Sequence, residues 1–382
     1  MRSAAEDVVK ESAKLFKASY KKPVMAVLVS PLTIRNLRRQ KVNPRIKQMA
    51  AANEEVKNTL YYFSLKHVDL NQRRITGCYW DSGSSRWLPG RFPIPDILYL
   101  RGGIKEKHAH IFAELYGMVN ERGQIINHPR FNKWELYQVL NKDPVIKNYL
   151  PATREVNQPE DIKDMLEKYG VIYLKSYLGR KGHYTLRVEA LPDSRYRYSY
   201  QKKSKLSTYE ASSFQSLFNA AEGFFRGKSF LAQQSIDLIK YENRLVDMRA
   251  ELQRNGNGQL EIVGICVRLG QIGSPITTHS NAFKFEDYFL NKMNWPKEKV
   301  EALIDTVQSF LFRIYEYIEG HYGKYVEIGI DFAVDNDDKI WLIEANSQST
   351  KVSLEKAYSG AVVSRAYKNI LEYAGYLYRQ TH

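Results

Sequence analysis

Two acidic residues in a predicted β-hairpin have the spacing of metal ligands. Residues 325–346 consist of two apolar, β-prone runs on either side of a cluster of turn-forming polar residues, which predicts an antiparallel hairpin. If Asp335 pairs with Ile340 across this turn, Asp331 lies directly opposite Glu344. Like charges in this position repel each other, so the pair needs a cation between them.

Asn346 completes the candidate ligand set. It follows Glu344 by two residues and therefore points to the same face of the strand. Carboxylate and amide oxygens suit Mg²⁺, which takes its remaining ligands from water and substrate phosphates. The spacing also fits an exposed hairpin with solvated carboxylates, and it does not distinguish the two interpretations.

A lysine and a glycine-containing loop accompany another predicted strand, over residues 170–176. Lys175 lies near the end of this strand, and the loop Gly179-Arg180-Lys181-Gly182 follows shortly after it. Glycines let backbone N–H groups approach a phosphate and flanking cations add charge, so the combination indicates a flap that covers phosphates. The loop lacks the Gly-Lys-Ser/Thr ending of a Walker A motif. A solvated lysine followed by a plain hairpin turn is the alternative.

Two arginines are expected on neighbouring strands. Arg249 belongs to a predicted strand that begins at residue 247, turns at residues 255–258 and returns over residues 264–268, which brings Arg268 beside it. Neither arginine has an obvious carboxylate partner in the sequence, and such arginines suit anion binding. Simple surface charges are the alternative.

Cations and tyrosines alternate over residues 195–205. This pattern is compatible with stacking on bases along a nucleic-acid backbone. An edge strand with one aromatic and one basic face explains it better, since Lys and Arg commonly protect sheet edges. Nucleic acid is therefore not the expected partner.

The composition limits the partners and the compartment. A formal net charge of +15 favours anionic partners such as nucleotide phosphates, an acidic polymer or an acidic protein layer. The 2 cysteines form no disulfide framework, which favours a reducing, cytoplasmic setting. No apolar run is long enough to cross a membrane, and residues 1–17 predict a charged helix without the apolar region of a signal peptide.

The pattern of strands and helices indicates the fold class. Strands alternate with helices up to a boundary near Pro129, which predicts an open α/β layer, and the apolar run 23–30 is typical of a strand covered on both faces. Further on, apolar spacing predicts a long helix over residues 297–320 and a closing amphipathic helix over residues 362–377. The fold class is therefore α/β (α+β).

The order of these pieces resembles that of the ATP-grasp superfamily, in particular its endospore coat-associated YheC/YheD-like family. The resemblance covers about residues 125–375 and rests on an ordered set of short motifs: Asn127-His128-Pro129, Lys133, Leu150-Pro151-Ala152-Thr153, Tyr173-Leu174-Lys175, Gly179 with Gly182, Gln233-Gln234-Ser235-Ile236, Asp247-Met248-Arg249, Gly329-Ile330-Asp331 and Glu344-Ala345-Asn346. It implies an N-terminal pre-ATP-grasp α/β domain at 1–128 and an ATP-grasp domain at 129–382. The latter would divide into a lid subdomain at 129–232 and a metal- and phosphate-binding subdomain at 233–382.

The resemblance also implies a role for each site residue, with ATP and Mg²⁺ as cofactors. Asp331, Glu344 and Asn346 would hold Mg²⁺ between the β- and γ-phosphates. Arg249 and Arg268 would stabilise the transferred phosphoryl group and the acyl phosphate. ATP would be bound by Lys133, Lys175, the flap residues Gly179, Arg180, Lys181 and Gly182, then Gln233, Gln234 and the backbone of Ile236.

The implied activity is that of an ATP- and Mg²⁺-dependent carboxylate–amine (or thiol) ligase. In related enzymes a carboxylate attacks the γ-phosphate, and an amine then displaces phosphate from the acyl phosphate. The expected partners are a carboxylate, an amine and an acidic spore-layer protein or polymer, with the chain in the cytoplasm or on the spore coat. The alternative is a coat-associated protein that binds ATP and acts as a scaffold.

Three segments depart from the superfamily pattern. His183-Tyr184 stands in place of the flap's third glycine, residues 278–283 in place of a Gly-Gly pair, and residues 347–351 in place of a Lys-Pro-Gly-like turn. The last two segments lie where a ligase holds its acceptor, so nucleotide binding is better supported than turnover.

Overall fold

The part of the chain that the structure describes contains three β-sheets, with helices packed on them. The structure, a computed structural model, describes residues 22–102, 104–121, 123–127, 130–179, 183–202, 205–272, 274, 277 and 281–381. The helix predicted over residues 1–17 lies outside these ranges. Within them, no helix combines the length and the apolar character of a membrane span.

The first sheet is built around a buried parallel strand. Strand β1 (Val24–Leu28) lies between β2 (Thr59–Phe63) and β6 (Ile97–Leu100), parallel to both. The remaining strands are β3 (Val68–Asp69), β4 (Arg74–Asp81), β5 (Arg86–Pro93) and β7 (Gln124–Ile126). The order is β3-β4-β2-β1-β6-β7, with β5 beside β4. Apolar residues cover both faces of β1, which confirms the prediction from its continuous apolar run.

Three helices cover the first sheet. Helices α1 (Pro31–Arg38) and α2 (Pro44–Val56) pack on one face, and α3 (Ala109–Asn120) packs on the other. Both α1 and α2 begin with a polar capping side chain followed by proline at the first helical position. Arg45 therefore lies in the first turn of α2. Short 3₁₀ segments occur at Leu65–His67 and Glu106–His108.

The second sheet is antiparallel. Its strands are β8 (Thr153–Glu155), β9 (Val171–Ser176), β10 (Thr185–Ala190), β11 (Tyr196–Lys202), β12 (Lys205–Ala211) and β13 (Phe230–Gln234), in the order β12-β11-β10-β9-β13-β8. Helix α4 (Lys133–Leu140) and a 3₁₀ segment at Ile146–Tyr149 precede it, and a 3₁₀ segment at Pro192–Ser194 precedes β11. Helices α5 (Pro159–Tyr169) and α6 (Phe214–Phe225) supply its apolar core.

The segment 195–205 forms β11 and the beginning of β12. The expectation that it is itself an edge strand is wrong, because β12 pairs with β11 and occupies the edge. The tyrosines of β11 stack within the sheet: Tyr198 and Tyr200 both lie against Tyr209 of β12. On the other face Arg197 contacts Glu210, 3.0 Å away. Neighbours from the same sheet therefore contact both the aromatic face and the basic face of β11.

The third sheet is also antiparallel and carries the predicted hairpin. Its strands are β14 (Lys240–Tyr241), β15 (Arg244–Arg254), β16 (Leu260–Leu269), β17 (Asn281–Lys284), β18 (Glu327–Val334) and β19 (Ile340–Asn346). The order is β17-β16-β15-β18-β19, with β14 beside β15. The helices that follow or interrupt these strands are α7 (Phe285–Asn291), α8 (Lys297–Tyr322), α9 (Val352–Ala357) and α10 (Gly360–Thr381).

The two faces of the third sheet have opposite character. On β15, Met248, Ala250 and Leu252 join the apolar core that the sheet shares with α8, which confirms the predicted buried face of that helix. The alternate residues from residue 247 onward, Asp247, Arg249, Glu251 and Gln253, are polar and lie on the opposite face. At the far end of that face, Gln253 donates to the carbonyl oxygen of Ala366 in α10. The polar face therefore provides the side chains of the candidate site.

Candidate active site

The hairpin of β18 and β19 pairs Asp331 with Glu344, as predicted. The register at the tip differs from the prediction, since Ile340 pairs with Val334 and not with Asp335. Asp335 belongs to the turn, where its carboxylate accepts two backbone N–H groups. A β-bulge beside Asp331 then shifts the register by one residue, so Asp331 and Glu344 are still paired.

The candidate ligands converge on one point of the sheet. Asp331 is 8% exposed, and the Asn346 Nδ2 atom lies 3.4 Å from its Oδ2 atom. Lys133 Nζ lies 2.8 Å from Glu344 Oε1. No three His, Cys, Asp or Glu side chains of the described chain form a group that could hold a metal ion on their own. Two carboxylates and an amide instead leave positions for water and phosphate, as Mg²⁺ requires.

Both predicted arginines contact Asp331, which corrects the expectation that they have no carboxylate partner. Arg249 Nη1 lies 2.8 Å and Arg268 Nη1 3.1 Å from Asp331 Oδ1. A second acid fixes each arginine: Arg249 Nε donates to Glu251 over 3.2 Å, and Arg268 Nε donates to Asp247 over 2.7 Å. Burial would raise the pKa of Asp331, but the charges of the two arginines outweigh it and lower the pKa.

The two predicted lysines approach the same carboxylates from the second sheet and from α4. Lys133 begins α4, and its Nζ atom also donates to the carbonyl oxygen of Gly179 over 2.8 Å. Lys175 Nζ lies 2.5 Å from Gln233 Oε1. Burial lowers the pKa of Lys175 to about 8; the charge of Lys133 lowers it too, and that of Glu344 opposes the shift. Lys175 thus lies within the electrostatic influence of Glu344.

The residues expected at the adenine lie where β13 ends. Gln233 Nε2 donates to Thr153 Oγ1 over 3.0 Å. The Gln234 side chain accepts the backbone N–H of Ala152, so it is engaged in joining β13 to the start of β8. Ile236 lies just beyond the strand, and its carbonyl oxygen accepts the N–H of Leu238 over 3.0 Å.

All of the predicted site residues that the structure describes line one cleft of about 960 Å³. This volume lies within the usual range for small-molecule sites, roughly 300–1,000 Å³. A Cβ atom at Gly179 would lie 2.6 Å from the His183 carbonyl oxygen, so this turn requires glycine. Arg180, Lys181 and Gly182 of the predicted flap lie outside the described residues. The contacts of all these residues with a nucleotide stay predictions.

Several polar residues around the cleft are not among the predicted site residues. Glu327 is 0% exposed and accepts hydrogen bonds from Arg101 Nη1 over 2.6 Å and from the Tyr99 hydroxyl over 2.9 Å. The buried Lys351 ammonium contacts the same carboxylate. Burial would raise the pKa of Glu327, but Lys351 and Arg101 lower it below its usual value. Polar residues alternate along β15, and this alternation is the sequence signal for the polar face: Asp247, Arg249, Glu251 and Gln253. The sequence around Arg101 contains no such signal.

The three sheets and the cleft between lysines and paired carboxylates define the ATP-grasp fold. The structure is similar to that of the ATP-grasp ligase PsnB, solved with a phosphomimetic variant of its minimal precursor, Mg and ADP, with a TM-score of 0.54. The two chains are 11% identical, and the match covers 92% of this chain and 98% of PsnB. The predicted fold class is confirmed.

The chain belongs to the YheC/D-like ATP-grasp family, whose sequence profile matches residues 122–377. It is 25% identical over 340 residues to the endospore coat-associated protein YheD of Bacillus subtilis (strain 168), covering 86% of this chain and 73% of YheD. It is 24% identical over 288 residues to the endospore coat-associated protein YheC of the same organism, covering 74% of this chain and 78% of YheC. The resemblance inferred from the motifs is confirmed.

Proposed function

We propose that this chain is an ATP- and Mg²⁺-dependent ligase that activates a carboxylate as an acyl phosphate and transfers the acyl group to an amine or a thiol. The observation that carries the proposal is the facing pair Asp331 and Glu344, which is contacted by three cations, Lys133, Arg249 and Arg268. Such a set of charges suits a metal-bound polyphosphate better than any single small anion.

Asp331, Glu344 and Asn346 are the proposed Mg²⁺ ligands. Their oxygen donors fit a hard cation, and Asp331 keeps a lowered pKa, so it is ionised at neutral pH. When bound, the ion would neutralise charge on the phosphoryl group that is transferred. Lys133 and Lys175 would bind the phosphates, since both extend into the cleft beside Glu344.

Arg249 and Arg268 are proposed to stabilise the transferred phosphoryl group and the acyl phosphate. Their side chains are only 11% and 18% exposed, and hydrogen bonds to Glu251 and Asp247 hold them in place before any substrate binds. Fixed charges in a partly dehydrated cleft lower the barrier to phosphoryl transfer without reorganising during the reaction. The chain's part in catalysis is therefore positioning and electrostatic stabilisation.

Both relatives are named endospore coat-associated proteins, which supports a role of this chain at the spore coat; a role in forming the coat or cortex is our proposal. The net charge of +15 suits attachment to an acidic protein or polymer of the spore layers. The protein would then act in the cell interior or on the spore coat.

A second candidate function is ATP binding by a coat-associated scaffold. The observation that favours it is the loop 347–351, where related ligases have a Lys-Pro-Gly-like turn beside the acceptor. Here the Ser349 hydroxyl donates to the buried Glu251 over 2.6 Å, and Lys351 contacts the buried Glu327. Both side chains are thus engaged within the protein.

Calorimetry and product analysis together test the proposal. Wild-type protein should bind ATP in a Mg²⁺-dependent manner, and ADP and phosphate should accumulate only when a carboxylic acid and an amine from a panel of amino acids and short peptides are both present. Glu344→Gln should weaken binding of Mg·ATP. Asp337→Asn is the matched control, because it makes the same change at an exposed position of the same hairpin, away from the cleft.

The outcomes separate the candidate functions. Mg²⁺-dependent ATP binding without product formation across the panel would favour the scaffold. Absence of ATP binding, or equal loss of affinity in both variants, would contradict the assignment of the site.

A further inference from the structure

Basic residues outnumber acidic residues in the lining of the cleft. Among the described residues that line it, eleven are Lys or Arg and five are Asp or Glu. The acids lie near the candidate metal site or the adenine end, each beside a basic neighbour: Asp237, Asp247, Glu251, Asp331 and Glu344. The wall formed by the first sheet and its helices contributes only cations to the lining, Arg45 and Arg101. This wall therefore faces the cleft with net positive charge.

Arg101 is held rigidly at the cleft wall. It follows β6, and its guanidinium bonds to Glu327 Oε1 over 2.6 Å and to the carbonyl oxygen of Ser349 over 2.9 Å. The Glu327 carboxylate that fixes it is completely buried and is also contacted by Lys351, which is 2% exposed. Dehydrating a carboxylate and an ammonium is costly. A planar guanidinium fixed in this way and still 18% exposed suits recognition of a carboxylate or a phosphate.

Arg45 supplies the second cation from a different element. It lies in the first turn of α2, is half-buried, lines the same cleft, and its guanidinium forms no ion pair with a residue of the described chain. Helix α2, whose first turn carries Arg45, packs against α10, which carries Tyr367. Lys351 Nζ lies 5.4 Å from the centre of the Tyr367 ring. These shared neighbours bring the two arginines to one region of the wall.

We infer that Arg45 and Arg101 form an anion subsite for a second carboxylate of the acid substrate, so the chain acts on dicarboxylic or oligocarboxylic acids. The inference rests on the proposed ligase function. One carboxylate of the substrate would be activated near Arg249 and Arg268. The other would bind Arg45 and Arg101 on the wall of the first sheet. Gln348, Thr350 and Ser353, which also line the cleft, offer neutral hydrogen-bond donors to the same ligand.

The test measures binding of defined acids to the full chain at about 0.15 M salt, where long-range surface attraction is screened. Protein saturated with Mg²⁺ and a non-hydrolysable ATP analogue is titrated calorimetrically with L-glutamate, tri-L-glutamate and tri-L-alanine, and the titrations are repeated without nucleotide. We expect saturable binding of at least one glutamate ligand and none of tri-alanine. Preference for free glutamate or for the tripeptide then identifies a small dicarboxylic acid or an acidic peptide as the source of the carboxylate.

Variants locate the subsite. Arg45→Ala should weaken binding of the glutamate ligand by about ten- to a hundredfold, the loss of one charge-assisted hydrogen bond. Nucleotide affinity should not change. Arg39→Ala removes an exposed arginine near the end of α1 that does not line the cleft, and it should leave both affinities unchanged. Arg101→Lys keeps a charge opposite Glu327 and should weaken binding without unfolding the chain.

Each contrary result has a distinct meaning. Nucleotide binding without saturable binding of either glutamate ligand would overturn the subsite and leave the ligase proposal standing. Equal affinities in wild type and Arg45→Ala, or equal losses in Arg45→Ala and Arg39→Ala, would also overturn it. Absence of nucleotide binding would contradict the ligase proposal, and the titrations without nucleotide would still decide whether the subsite exists.

Discussion

Replacing Gly329 with alanine tests whether Arg249 lies where the site requires it. A Cβ atom at residue 329 would be 2.5 Å from Arg249 Nη2, 2.6 Å from Nε and 2.7 Å from Cζ. These contacts are too short, so the guanidinium must move away from Asp331 and Glu251, which it now contacts at 2.8 and 3.2 Å. Both carboxylates are buried and would lose a charged partner. We expect a loss of about 1.5–3 kcal/mol in the free energy of unfolding, because Asp331 keeps its contact with Arg268 and Glu251 keeps its hydrogen bond from Ser349.

Urea unfolding followed by tryptophan fluorescence measures this loss, since Trp341 lies on β19 of the same sheet. Gly223→Ala is the matched control: no atom lies within 4 Å of a Cβ atom at that exposed position of α6. Alanine there should stabilise the helix by up to about 1 kcal/mol. If Gly329→Ala unfolds at the same urea concentration as wild type, Arg249 does not lie across Gly329, and its role at the transferred phosphoryl group loses its structural basis.

Three further predictions concern the charges around the cleft. Glu344→Gln should weaken Mg·ATP binding by at least about tenfold, which is the usual effect of disturbing a metal site. The stability of the protein should change little, because the partly exposed ion pair between Glu344 and Lys133 contributes only about 0–1 kcal/mol. Calorimetry measures the affinity, and thermal unfolding measures the stability. Because the pKa of Lys175 is lowered to about 8, ATP affinity should fall by up to about tenfold per pH unit above that value. Lys175→Arg, which stays charged, should abolish this pH dependence. An ATP affinity of the wild-type protein that does not change with pH would contradict the assignment of Lys175 to the phosphates. Glu327→Gln should reduce the free energy of unfolding by about 3–5 kcal/mol at pH 7, because it leaves the buried Lys351 and the largely buried Arg101 without their counter-ion. Folding lowers the pKa of Glu327, so this stabilisation should begin to decline as the pH falls below the unfolded-state value of about 4.3, and it should be lost once the pH has passed the lower pKa of the folded state.

The sequence predicted the facing pair Asp331 and Glu344, although the proposed register was wrong at the tip of the hairpin. Alternation and turn composition are local signals, and they identified the hairpin and the face that its acids share. The β-bulge beside Asp331 has no comparable signal, because an extra residue in one strand changes no residue type. Here its one-residue shift compensated for the one-residue error at Asp335.

The charge partners of the site were the least predictable part. The sequence offers no obvious carboxylate partner for Arg249 and Arg268, because it does not give the register of β15 with β16 and β18. Glu251 lies two residues from Arg249 on β15, and Asp247 lies directly opposite Arg268 across the pair β15 and β16. The contact between Arg101 and Glu327 joins residues 226 positions apart, which only the tertiary fold brings together.

The contacts around Asp331 and Glu344 would make the proposed metal and nucleotide binding interdependent. Lys133 is bonded to Glu344, and Arg249 and Arg268 are bonded to Asp331. If the carboxylates bound Mg²⁺ alone, these cations would lose their partners in a partly buried cleft. If the cations bound the triphosphate alone, Asp331 and Glu344 would face each other without a counter-ion. Binding both together replaces every lost partner, so each ligand should raise the affinity for the other by the same factor. These ion pairs would therefore favour binding of the Mg·ATP complex over binding of either component alone.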